Sequence, residues 1–234
     1  MHSLRALSAI PVIRAIAIAI GSYSISAHAL PPVPEDVPPP PPSGQLASVS
    51  IVIPPVAQGQ VKRMLINPYG EVDGLRLEDG TIVKFPPHMS NALADSVKPG
   101  QMVRVLGRSE ARGTVKADAI INLATSQTVF DQPPAVGDGR PLPPHLRAQT
   151  LRTQKAEGRI DAVLTGPRGE ANGVILTNGS IVRFPSESLR LSMQQGAPFA
   201  ASGLGTSNAY GTSLEAVSVG TSLSTLQPIY DRLP

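Results

Sequence analysis

One 28-residue pattern occurs twice in this chain. "GQVKRMLINPYGEVDGLRLEDGTIVKFP" (59–86) aligns without a gap on "GRIDAVLTGPRGEANGVILTNGSIVRFP" (158–185) at an offset of 99 residues, with 12 identities. The identities fall on turn formers (Pro68/Pro167, Gly70/Gly169, Gly80/Gly179) and on apolar residues (Leu65/Leu164, Leu77/Leu176, Val83/Val182, Phe85/Phe184). A repeat that keeps its turns and its apolar positions keeps what folding requires. The chain is therefore expected to hold two copies of one domain.

Within each copy, alternating runs rich in β-formers are broken first by "NPYGE" or "GPRGE" and then by Asp79-Gly80 or Asn178-Gly179. Those dipeptides accept positive φ, and the expectation is a two-residue type I′ hairpin at each. Thr81, Val83 and Phe85 then share the inward face of a third strand, with Ile82 and Lys84 on the other. The period changes in "HMSNALADSVKPG", where Leu93 and Val97 stand four apart before Pro99-Gly100, the pattern of a short helix. "SESLRLSMQQG" is its counterpart, with Ser186 as N-cap and Gly196 as stop. "QMVRVLG" and "VKADAIINL" supply a fourth and a fifth strand in the first copy; "APFAASG" is a weaker fourth strand in the second.

Three strands, a helix and two strands in a small glycine-turned domain resemble the OB-fold, a five-stranded Greek-key barrel. The repeated hairpin and "PGQMVRVLG" are similar to exported bacterial OB-fold-like proteins. The expected class is all-β with one short helix per domain, in two tandem barrels. The expected divisions are a leader (1–29), a proline-rich linker (30–44), a first domain (45–132), a proline-rich and basic connector (133–156) and a second domain (157–234).

The leader reading rests on two arginines without an acid, an apolar "AIAIAIG" and an Ala-x-Ala ending at Ala29, the pattern of a cleaved signal peptide. Its apolar run of about a dozen residues is short of the roughly 20 that span a bilayer. Export to the periplasm or outside the cell is the expectation. Arg5 and Arg14 would leave with the leader, so the remaining chain sets 18 Lys and Arg against 17 Asp and Glu. That balance lacks the basic footprint of a duplex-binding protein. With no cysteine, each domain must hold by apolar burial alone, and aromatics at 3% make the core aliphatic. "PPVPEDVPPPPP" reads as a polyproline-II spacer, the alternative being a docking peptide for a proline-reading partner. The connector's second half, with Arg140, Arg147, Arg152 and Lys155, is expected to form a short helix or a basic docking strip.

Little in the sequence speaks for catalysis. His88 and His145 have no metal-ligand spacing, and His88 is read as a solvent-facing helix cap. Glu71, Asp73, Glu78 and Asp79 lack the ligand order of a calcium loop and are read as turn-forming and solvating residues. Neither a nucleophile elbow nor a cysteine is present. The expectation is a protein that is not an enzyme, uses no cofactor or metal, and meets an envelope protein or a glycan. Resemblance to the OB-fold implies a ligand face across strands two and three. It nominates Arg76, Ile82, Lys84 and Phe85 in the first copy, and Val174, Ile181, Arg183 and Phe184 in the second. Of these, Arg76, Ile82, Lys84, Ile181 and Arg183 are the candidate binding residues. An oligosaccharide or anionic polymer on that face is the alternative to an adaptor role. Nucleic acid stands behind both, because each third strand offers a single phenylalanine and stacking needs several rings.

Overall fold

The structure is a computed structural model that describes residues 54–134, 144–186 and 193–230. The leader, the proline-rich arm and most of the helix expected in the second copy lie outside these residues. Two closed five-stranded barrels account for most of the rest.

In the first barrel, β1 (Ala57–Ile66) pairs antiparallel with β2 (Val72–Leu77) on one side and β4 (Met102–Ser109) on the other. β2 continues into β3 (Ile82–Lys84), and β4 into β5 (Thr114–Asn122). A parallel pairing of β3 with β5 closes the ring, and β6 (Thr128–Phe130) adds to the edge of β5. Parallel partners need a crossover, and here it is the 3-10 turn Pro87–Met89, α1 (Ser90–Ser96) and β4. Helix α1 turns Leu93 inward, and Val97 at its C-cap donates its N–H to the Leu93 carbonyl; both are fully buried.

The second barrel repeats this order. After α2 (Pro144–Ala148), β7 (Arg152–Thr165) pairs with β8 (Ala171–Leu176) and β10 (Pro198–Asn208), β8 with β9 (Ile181–Arg183), and β10 with β11 (Gly211–Gly220). Parallel pairing of β9 with β11 closes it, and β12 (Gln227–Pro228) flanks β11. The fold class is thus OB-fold-like, twice. Among the described residues of the connector the helix is α2, and from Arg152 the basic stretch is strand. Among the described residues no helix is long and apolar enough to cross a membrane.

The hairpins differ from the two-residue turns expected. Leu77 N–H bonds to Thr81 O and Gly80 N–H to Leu77 O, so the loop has three residues, and only Gly80 takes positive φ (92°). Asp79 keeps negative φ and instead accepts the Thr81 N–H on its carboxylate at 2.9 Å. Asn178 does the same for Ser180, at 3.0 Å. A three-residue loop with glycine in the left-handed position leaves the acid or amide free to act as a local cap. Gly74 has another reason to be repeated at Gly173. A Cβ on Gly74 would stand 2.2 Å from the Val83 carbonyl oxygen, so β2 and β3 cannot pair with a side chain there.

Val83 and Phe85 point into the first core, and Val182 and Phe184 into the second, as alternation requires. Ile82 and Ile181 lie on the opposite face of their strands, yet only 5% and 0% of their surface is exposed. Ile181, with Leu164 and Ile175, joins the apolar cluster of the first barrel rather than its own. The outer faces are buried because the barrels lie against each other.

Candidate functional site

The packing is two-fold in character. The turn between β4 and β5 brings Ala111 and Arg112 against Gly169 of the second barrel, and the β10–β11 hairpin brings Thr206 and Asn208 against Gly70 of the first. Gly70 and Gly169 are equivalent positions. Asn208 donates to the Gly70 carbonyl at 2.9 Å, and Arg63 to the Gly179 carbonyl at 2.7 Å.

All five candidate binding residues lie in or beside this contact. Arg76 on β2 is almost buried and forks onto Asp161, with Nη2 at 3.3 Å from Oδ1 and Nη1 bonded to Oδ2. Asp161 is the extra residue of a bulge in β7, which swings its carboxylate out of the ladder. Arg183 on β9 donates from Nη2 to both oxygens of Asp73, at 3.2 and 2.9 Å. Lys84 on β3 donates to Glu110 within its own barrel at 2.7 Å, and Glu110 is almost buried. Ile82 and Ile181 supply the apolar part. Phe85, Val174 and Phe184 face the cores.

Between the barrels remains a cleft of about 290 Å³. Ile82, Lys84 and Phe85 of the first barrel and Leu164, Asn172 and Arg183 of the second are among its walls. Its charges are already matched. Burial pushes the Asp73 carboxyl above its ordinary value, against the pull of Arg183. Asp161 moves the opposite way, held below the usual carboxylate range chiefly by the hydrogen bond from Arg76. Glu215, opposite Arg183 in the β9–β11 register, is raised by burial.

Sequence reasoning missed the acidic partners. Asp73 is neither turn-forming nor solvating, and its place is in an ion pair between barrels. Glu71 accepts from Asn67 at 2.7 Å and also pairs with Arg147, whose guanidinium lies 4.0 Å over the Tyr69 ring. The connector thus docks one of its cations on the first barrel. A signal for these contacts did exist: the copies differ on their outer faces at Lys62/Asp161, Asp73/Asn172 and Arg76/Ile175.

A second cavity, of about 420 Å³, lies beside Tyr69, His88, Met89 and Gln132. The His88 ring is half-buried there, and its Nε2 stands 2.6 Å from the Gln132 carbonyl oxygen. Among the described residues no group of three or more His, Cys, Asp or Glu side chains is placed to hold a metal ion. No protein-family model, no curated protein and no solved structure matches the chain.

Proposed function

We propose that this chain is an exported, non-catalytic adaptor of a bacterial envelope, working as one two-barrel body. One observation carries the reading. The strand-two and strand-three faces, where a barrel of this kind receives a long ligand, are turned on each other and joined by the Arg76–Asp161 and Arg183–Asp73 pairs. An oligosaccharide or anionic polymer reaching that face along its length would have to part the barrels and strand buried charges. The surfaces left for a partner are the outer ones. On the second barrel these carry Leu204, Val217 and Tyr230, each about half exposed. Leu204 lies opposite Glu215 in register, and Ile229, beside Tyr230, donates its N–H to the Val217 carbonyl. Leu204 on β10 and Val217 on β11 are thus exposed apolar side chains on neighbouring strands, and apolar surface of this kind is what a protein partner would cover.

The test is crosslinking capture in the native envelope with tagged protein, comparing wild type with Leu204→Asp/Val217→Asp. Loss of a specific crosslinked protein in the double variant, with unchanged melting, is the expected result. An identical capture profile in both refutes the surface, and a turnover reaction in the purified protein refutes the non-catalytic reading. Export has its own test, since the purified chain should begin at Leu30.

A further inference from the structure

The two-fold relation makes a demand that the cleft does not meet. Position 73 corresponds to 172 and position 84 to 183. In one half of the contact Arg183 closes onto Asp73. In the other half the acid has become Asn172, and Lys84 turns to Glu110 instead. Asn172 Oδ1 is left buried without a hydrogen-bond partner, and so is Arg183 Nε. Both residues line the cleft, together with Lys84 and with Leu65 and Leu164 from equivalent places in the two barrels. The cavity lies where a second ion pair would have closed the contact. Buried donors and acceptors are costly to leave unmade, and the two residues that carry these atoms stand in the cleft wall, which is polar there.

We propose that the cleft binds a small, neutral, polyhydroxylated molecule, of the class and size of a monosaccharide. A hydroxyl group is donor and acceptor at once, so it suits a wall that carries both the Asn172 amide and the Arg183 guanidinium. It also meets the amide whichever way round that group is turned. The charges select against ions. Lys84 and Arg183 already hold Glu110 and Asp73, and an anion or ammonium would break a pair and leave a buried charge alone. Pro87 and Phe85, with the edges of Leu65 and Leu164, supply the apolar part of the wall. A volume of about 290 Å³ stands at the small end of ligand cavities, room for one ring rather than a chain. This site goes beyond the adaptor reading and stands or falls apart from it.

The test titrates the intact two-barrel protein, isotope-labelled at its methyl groups, with D-glucose, N-acetyl-D-glucosamine, D-glucuronate and inorganic phosphate. One of the two neutral sugars should shift the Leu65, Leu164 and Ile82 methyls saturably, with a dissociation constant of about 1 mM or tighter. Glucuronate and phosphate should bind at least about tenfold more weakly. Asn172→Asp restores the acid found at Asp73, gives Lys84 a partner across the cleft and should abolish the sugar response while raising or preserving the melting temperature. Asn172→Leu should abolish it without adding charge. Three results overturn the proposal: no response to either sugar at about ten times a millimolar dissociation constant, a preference for glucuronate or phosphate, or an unaltered sugar response in a folded Asn172 variant. Should Asn172→Asp fail to fold by circular dichroism, the probe preference and Asn172→Leu decide.

Discussion

Replacing Ile181 by alanine distinguishes two barrels that support each other from two barrels merely joined by a connector. The residue sits on the outer face of β9, opposite Val182 and Phe184, and is nonetheless fully buried within the first barrel's apolar cluster. On a free barrel the same side chain would meet solvent, and truncating it would cost less than about 0.5 kcal/mol. In the packed arrangement the truncation removes three carbons from a dry contact and leaves a cavity, at a cost of about 3 kcal/mol. For a body of this size each kcal/mol lowers the melting temperature by about 2–4 °C, so the expected fall is about 6–12 °C. Urea denaturation followed by circular dichroism reads the free energy directly, with Leu204→Ala, on an exposed outer position, as a control near zero. Ile82→Ala should behave like Ile181→Ala. A cost at Ile181 no larger than that at Leu204 would refute mutual support, and with it the account of why both outer-face isoleucines are buried.

Other expectations follow from the same geometry. Asp161 is held low, so its stabilisation is full above the unfolded value of about 4 and is lost as pH falls through the lower folded value. Asp73 is raised, so its contribution is full below about 4 and is lost as pH rises through the folded value. Arg76→Gln should therefore flatten the acid side of a melting profile and Asp73→Asn the side above it; profiles parallel to wild type would show that neither group is linked to folding. Ser213 occupies the place of Thr114 beside its third strand, but where Thr114 meets Thr165 at 3.2 Å, the Ser213 hydroxyl is buried without a partner. Ser213→Ala should stabilise by about 1 kcal/mol in the same denaturation assay, and a loss would show that the hydroxyl is satisfied in solution. Gly74→Ala should cost about 3 kcal/mol, because its Cβ would meet the Val83 carbonyl; a neutral result would mean that β2 and β3 separate easily.

What the duplication preserved was legible in advance. Glycines at 70, 74 and 80 recur because turns and a close strand approach need them, and Val83 and Phe85 recur because a barrel interior needs them. Alternation then placed Ile82, Lys84, Ile181 and Arg183 correctly on outer faces, but it says nothing about what an outer face meets. The turn type was misread for a related reason. Asp-Gly is compatible with a two-residue loop, and the backbone bond from Leu77 N–H to Thr81 O, with the Asp79 carboxylate capping the Thr81 N–H, decides for three. The acids that complete the contact, Asp73 and Asp161, stand where the copies disagree, and an alignment read for identities passes over them.

Those disagreements also set which barrel each one pairs with. Under the two-fold relation, a first barrel packed on a second copy of itself would bring Arg76 to Lys62, the residue that stands where the second barrel has Asp161. Two cations at a buried contact repel, and neither would find the carboxylate it needs. A second barrel packed on its own copy would face Asp161 with Ile175 and Arg183 with Asn172, stranding charges without partners. Only the pairing of unlike copies satisfies Arg76 with Asp161 and Arg183 with Asp73 together. Specificity of this kind comes as much from what the wrong partner lacks as from what the right one offers. The same substitution that makes like-with-like pairing of the second barrel poor, Asn172 in place of an acid, also leaves the cleft unsealed. Intramolecular closure and an open polar cavity are in this way two consequences of one departure from the repeat.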